Sequence, residues 1–447
     1  MSFYTIERKN LAPKTFDNVC DWCIDTPAPE TQFCEDEILS NGVLIKGWIL
    51  SADLCDIRLL VLSKTECLTL ALEYSRPDVY EKLSSKAKYL DKKDNIAFKS
   101  TLNLKDDYFQ VGILRHGSYV PLADFFVRGS LEVLRGKEKW LFLDNDSNRS
   151  IEQFIGKSLI PKKELKNWKN YFAFLSHLNK SLETHFSMLI APSKEMVYPE
   201  YYPFEKGKVT PIKQLYKIIP DDFDVCVPVA ELKSSKHRSF RVCDTHWTHL
   251  GALKATLLCL SNQGKDTDLV KLIFKKDKYK VRPMGGDLGN KLYPKQRHNE
   301  KQLTSFNYLS KVVFDNGVPN FGRLIVMSNK DALYDEVLLL LGSSSSYSMF
   351  NYLTRVYRIV VFLHCAGSLD IEFIKRLRPD FVLTQTNARF IVKAPITNEN
   401  YRALITRKVS SKGKDINKDI SKNLQHTVED KVLNRVILQA IEINRSI

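Results

Sequence analysis

Six short apolar runs beyond residue 137 restrict this chain more than any other feature: FSMLIAP, FDVCVPV, RLIVMS, VLLLLG, RIVVFLH and DFVLTQT. Each has strand length, and most are apolar almost throughout, as strands buried on both faces are. Helical stretches such as KKELKNWKNYFAFLSHLNKSLETH fall between them. Strands that alternate with helices predict βαβ units and an α/β class domain with a parallel sheet covered on both faces. In such sheets ligands bind beyond the carboxyl ends of the strands. That rule directs attention to the residues after VLLLLG.

The front of the chain reads differently. Between residues 37 and 130, GVLIKGWIL, DIRLLVLS, CLTLALEY, DNIAFKSTLNL and YFQVGILRHGSYVPL are short and separated by turn residues, namely Asn41-Gly42, Lys105 to Asp107 and His116-Gly117. This spacing predicts antiparallel strands in a β-sandwich-like domain, interrupted by a helical insert over Asp78 to Leu90. Four parts result: an N-terminal segment 1–36, the β domain 37–130, the α/β domain 137–396, and a basic C-terminal extension 397–447. In the last, SSKGKDINKDISKNL has no strand pattern, and TVEDKVLNRVILQAIEINR has helical apolar spacing. A chain of 447 residues exceeds what one core supports, so several domains are expected.

The net charge of +15 favours an anionic partner. No recognised nucleic-acid module accompanies it, so nucleic acid is set aside. The N-terminus has no apolar stretch of signal-peptide length, and no run reaches membrane-span length. A cytoplasmic protein, at most peripheral to a membrane, is expected. Nine irregularly spaced cysteines suggest reduced thiols. Cys20 and Cys23 form a CDWC pair with no second ligand pair in suitable spacing, so no metal is expected there.

After VLLLLG come four serines, Ser343 to Ser346, then Tyr347 and Ser348. A serine nucleophile needs a base to take its proton and a carboxylate to orient that base. FRVCDTHWTHLGALKATLL supplies Asp244 and His246 just ahead of a helix expected to begin near Thr248. The same residues also fit a buried histidine satisfied by a local aspartate, or, with His249, a zinc site lacking further ligands.

These segments together resemble the alginate O-acetyltransferase family, SGNH-hydrolase-like proteins that O-acetylate polysaccharides. KEKWLFLDNDSNRSIEQFIGK from Lys137, LIAPSKEMVYPEYYP from Leu189, DTHW, MGGDLGNKL from Met284, the strand-Gly-x-Ser turn and RPDFVLTQTNARFI from Arg378 occur in family order over about residues 137 to 393. The resemblance implies a three-layer α/β/α catalytic domain and a Ser-His-Asp triad of Ser344, His246 and Asp244. It covers neither the β domain nor the basic tail. Two departures stand out. The nucleophile turn reads Gly342-Ser343-Ser344, where anchoring on Gly342 selects Ser344 and anchoring on Ser346-Tyr347-Ser348 selects Ser346. The family's Glu-Arg-Phe reads Ala388-Arg389-Phe390.

The reaction implied is transfer of an acetyl group from acetyl-CoA, through an acyl-serine, to a hydroxyl of an anionic capsular or O-antigen polysaccharide or its glycan repeat unit, within that biosynthetic machinery. No metal is required. Backbone N–H groups near Ser344 and the Gly285-Gly286-Asp287 segment are expected at the oxyanion. Arg389 either clamps an anionic acceptor or pairs with a core carboxylate. Tyr198 and Lys194 either line the groove or pack the turn after their strand. A carbohydrate esterase with the same triad and a non-catalytic glycan-binding protein are the alternatives.

Overall fold

The computed structural model describes residues 3–29, 31–34, 42–52, 54, 57–63, 66–86, 94–102, 108–129, 133–144, 146–292, 295–410 and 430–444. The Lys105 to Asp107 turn, Asn41, the end of the expected Asp78 to Leu90 helix and most of SSKGKDINKDISKNL lie outside these residues. The chain divides into two compact units, residues 1–134 with 290–296, and residues 135–289 with 297–447.

The first unit is antiparallel β throughout its pairings. One six-stranded sheet runs Thr31–Cys34, Phe3–Asn10, Ser118–Gly129, Tyr108–Arg115, Arg58–Ser63, Cys67–Leu70. A four-stranded sheet runs Val19–Thr26, Val43–Ser51, Asn95–Leu102, Tyr74–Ser75. Alternate residues of both sheets, among them Ile6, Trp22, Ile45, Phe98, Val111 and Phe125, share one core. His116 and Gly117 turn the longest hairpin with φ of 44° and 78°, the left-handed conformation that a two-residue loop of this twist requires. Residues before 37, which read as a separate segment, supply three of these strands. Cys20 and Cys23 sit in the strand Val19–Thr26 as free thiols. The insert forms a helix over Pro77–Leu83.

The second unit is mixed α/β. Its seven-stranded sheet is built from β1 (His185–Ala191), β2 (Val225–Cys226), β3 (Val312–Asp315), β4 (Leu324–Ser328), β5 (Tyr334–Gly342), β6 (Tyr357–His364) and β7 (Phe381–Asn387), in the order β2-β1-β7-β5-β6-β4-β3. The five strands from β2 to β6 in that order are parallel. At the other edge β4 alone is reversed, antiparallel to both β6 and β3. The all-parallel expectation therefore fails at this edge, because a doubly buried strand such as LIVMS looks the same in either direction.

Residues of one sheet face (Phe186, Met188, Ile190, Leu339, Leu341, Val361) pack with α1 (Lys162–Ser181), α3 (Ile371–Leu377) and α4 (Lys431–Asn444) in one continuous core. Trp168, Tyr171, Phe172, Leu175 and Leu178 give α1 the buried stripe that its periodicity calls for. Leu433, Val436 and Ile437 bring the C-terminal helix into the same core. On the opposite face, Gln263 at the end of α2 (His249–Asn262) donates to Ser187 Oγ at 3.2 Å.

His364 closes β6 beside Gly342 and is 4% exposed, against the rings of Phe321, Tyr347 and Phe362. Burial, helped by the charges of Arg323 and Lys408, pushes its pKa down from 6.5 to about 4. The folded protein thus keeps this ring neutral while the unfolded chain takes up a proton. Its contribution is complete above about pH 6.5 and is lost as the pH falls towards 4, at a cost of about 3 kcal/mol. Urea midpoints of the wild type should fall over this window, and those of His364→Phe should fall less. His249, pushed to about 4 chiefly by burial, is present in both proteins. Parallel pH profiles would remove His364 from the account.

Candidate active site

Three neighbouring parallel strands deliver the site. β1 ends at Ala191 and leads into Pro192 to Glu195; β5 ends at Gly342 and leads into the serines; β7 ends at Asn387 and leads into Arg389. These segments line one cleft of about 480 Å³, its open mouth included, together with Thr245 and His246.

The histidine arrives on a closed loop. Thr248 N–H donates to Ser239 O at 2.8 Å and Arg241 N–H to His246 O at 3.2 Å, which pins residues 239–248 into a tight return. Thr248 then caps α2 by accepting Gly251 N–H at 3.0 Å. Within the loop, Asp244 Oδ1 accepts from His246 Nδ1 at 2.7 Å and from His246 N–H at 2.8 Å. Asp244 is 5% exposed. Burial alone would raise its pKa, but the bond to and charge of His246, with Arg241 beside it, hold the carboxyl well below the usual carboxylate range. With Nδ1 committed, His246 presents Nε2, which makes no hydrogen bond among the described residues.

The serine turn separates its hydroxyls. Ser343 Oγ reaches Gln385 Oε1 at 2.9 Å and Asn387 Oδ1 at 3.1 Å. Ser345 Oγ donates to Asn387 Oδ1 at 2.8 Å, and Ser348 Oγ to Ser345 O at 3.1 Å. Ser346 is fully buried and donates to Gln385 Oε1 at 2.8 Å. Of the serines in this turn, only Ser344, partly exposed and lining the cleft with His246, has a hydroxyl uncommitted among the described residues. Ser346 thus lies away from the cleft. A Cβ on Gly342 would land on Ser346 Oγ, so the glycine is required by this close approach.

Gln385 and Asn387, which no sequence argument singled out, hold the turn. They are two apart on β7 and share a face; Gln385 Oε1 also accepts Ser343 N–H at 2.7 Å, and Gln385 Nε2 donates to Asn387 Oδ1 at 3.1 Å. The available signal was two amides at period two in a strand otherwise destined for burial. Because Asn387 Oδ1 takes these donors, its Nδ2 is left without an acceptor among the described residues.

Several predicted site residues stand elsewhere. Gly286 and Asp287 sit behind the imidazole and do not line the cleft. Asp287 accepts from Thr245 N–H at 2.7 Å and from the Thr245 hydroxyl, and lies 3.6 Å from His246 Nδ1. Gly286 has φ of 61°, and a Cβ there would strike Asp244. Tyr198 packs its ring 4.9 Å from Trp140 and accepts Ser239 N–H at 2.8 Å, supporting the histidine loop from outside. Lys194 borders the cleft, but its ammonium donates to Arg241 O at 2.9 Å and Val242 O at 3.1 Å. Burial lowers its pKa to about 8. Arg389 lines the cleft and forms no ion pair among the described residues. His249 Nδ1 accepts Leu303 N–H at 2.6 Å, which removes it from any shared site with Asp244. Asp244, His246 and Asp287 are close enough to share a cation, but a metal on Nδ1 would displace the hydrogen bond to Asp244.

No protein-family model matches the chain, and no curated protein gives a significant match. Among solved structures, the chain is similar to Bacillus cereus PatB1 at 14% identity and a TM-score of 0.43, covering 59% of this chain and 97% of that one. It is similar to the O-acetyltransferase domain of Pseudomonas putida AlgJ at 16% identity and 0.36, covering 65% and 98%. For Pseudomonas aeruginosa AlgX the values are 11% and 0.32, covering 61% and 65%. Likenesses this distant carry no argument about activity.

Proposed function

We propose that this chain is an O-acetyltransferase that carries an acetyl group on Ser344 to a sugar hydroxyl, using His246 and Asp244 in an SGNH-hydrolase-like three-layer domain. The observation that carries this reading is the single uncommitted hydroxyl of the serine turn, lining the same cleft as an imidazole whose other nitrogen is fixed by a buried carboxylate.

In the first half-reaction His246 Nε2 takes the Ser344 proton while Oγ attacks the acetyl carbonyl of a thioester. The carbon–sulfur bond breaks and the imidazolium returns the proton to the leaving thiolate. In the second half, Nε2 takes the proton of a sugar hydroxyl, which attacks the acetyl-serine. The ester bond to Oγ breaks and Ser344 regains its proton. Ser344 N–H and Asn387 Nδ2 are the donors we assign to the oxyanion. Acetyl-CoA is the proposed donor, an anionic polysaccharide or its repeat unit the acceptor, and the cytoplasm the location that gives access to both.

Brief exposure to acetyl-CoA or an activated acetyl ester, followed by intact-protein mass spectrometry, tests this directly. We expect one acetyl adduct, mapped to Ser344, absent in Ser344→Ala and His246→Ala and present in Ser346→Ala. Acetate released at a rate indifferent to added glycan would make the protein an esterase. Absence of both adduct and acetate would remove the acyl-enzyme altogether.

A further inference from the structure

Beside the Ser344 cleft lies a second pocket that shares Ser150, Ser193, Glu195 and Arg389 with it. Phe154, Met196 and Ile212 give it an apolar wall. Two polar atoms in it are buried without a partner among the described residues. Thr210 is 3% exposed; it stands at the start of the short helix Pro211–Tyr216, yet its hydroxyl neither caps that helix nor bonds elsewhere. Arg389 Nε is buried and unbonded. Buried polar groups are ordinarily satisfied, and a donor left open in a pocket marks where a ligand atom belongs. Arg389 also forms no ion pair among the described residues, while Gln153 Nε2 fixes its backbone by donating to Arg389 O at 2.8 Å. Glu195 forms no ion pair with it among the described residues; burial raises the pKa of that carboxyl, against the charge of Arg389, which lowers it. At the rim stands Lys206, which feels the charges of Lys213 and Lys233.

We propose that this pocket is an acceptor subsite for an acidic sugar, whose ring lies on the Phe154–Met196–Ile212 wall, whose carboxylate or phosphate meets Arg389, and whose hydroxyl bonds Thr210. An apolar wall with a few placed polar groups is the usual construction of a small-molecule pocket, and a guanidinium is the usual partner of a planar anion. The subsite deepens the acyltransferase reading by naming the sugar class bound next to the acetylated hydroxyl.

Calorimetric titration of the Ser344→Ala protein separates the two claims, because binding needs no chemistry. The probes are a uronate oligomer, the same oligomer with its carboxylates reduced to alcohols, and a phosphorylated neutral oligosaccharide of equal length. We expect at least one charged oligomer to bind about tenfold or more tightly than the reduced one. Which of the two does so identifies the anion. Adding Arg389→Gln should abolish that preference, and Arg389→Lys should restore part of it. Thr210→Val should weaken charged and reduced oligomers alike by several-fold. Thermal melting confirms folding; should Arg389→Gln fail to fold, the Arg389→Lys and Thr210→Val results decide. Equal binding of charged and reduced oligomers, or a preference that survives Arg389→Gln and so belongs to the surface lysines, overturns the subsite. Neither result touches the acyl-enzyme test, and a failed acyl-enzyme test leaves the titration intact.

Discussion

Replacing Asp244 by asparagine should lower the rate of Ser344 acetylation by about 10⁴-fold while leaving the protein folded. The carboxylate makes two bonds to His246, at 2.7 Å to Nδ1 and 2.8 Å to the backbone N–H. Asparagine can still accept one of them, so the loop should keep its shape. What it cannot do is carry the negative charge that fixes the tautomer with Nε2 free and stabilises the imidazolium once the serine proton has moved. Asp287 lies 3.6 Å from the same Nδ1, with its oxygens already taken by Thr245. We therefore expect Asp287→Asn alone to cost much less than Asp244→Asn. Stopped-flow acylation with an activated acetyl ester, together with thermal melting, checks both. Near-normal acylation by a folded Asp244→Asn protein would reduce the Asp-His pair to a satisfied structural contact, the bland reading open at the level of sequence.

Much of the arrangement was legible because its parts obey local rules. VLLLLG ends in the one residue that tolerates the approach of Ser346, and DTHW precedes a capped helix, so the serine turn and the Asp244-His246 loop could both be located in the sequence before any geometry was known. The choice of Ser344 rested in the sequence on the Gly342 anchor alone, and the hydrogen bonds that separate the serines were not legible. They depend on which hydroxyls meet Gln385 and Asn387, forty residues downstream in sequence and adjacent only because β5 and β7 pair. That Gly286 and Asp287 contact the histidine loop without lining the cleft was not legible either, for a related reason. A segment that contacts the histidine loop can do so from the cleft or from behind, and only the fold distinguishes the two. In the first unit the strand Val19–Thr26, read at the level of sequence as part of a separate N-terminal segment, buries Val19, Trp22 and Ile24.

The dependence on Gln385 makes the second large effect predictable. Gln385 is fully buried, and Gln385→Leu removes the acceptor of Ser343 N–H and of the Ser346 hydroxyl without space for water to replace it. Two buried donors left open cost about 1–3 kcal/mol each, so unfolding free energy should drop by about 2–6 kcal/mol. Activity should fall further than stability alone explains, since a displacement of about 1 Å in a reacting group costs about 100-fold. Ser346→Ala removes one of the two donors and should be mild by itself. Combined with Gln385→Leu, it should cost less than the sum of the single changes, because the alanine no longer presents the hydroxyl that the leucine strands. Urea unfolding of the four proteins in this cycle measures the coupling. Strict additivity would mean that the Gln385–Ser346 bond does not hold the turn, and the assignment of Ser344 as the free hydroxyl would lose its support.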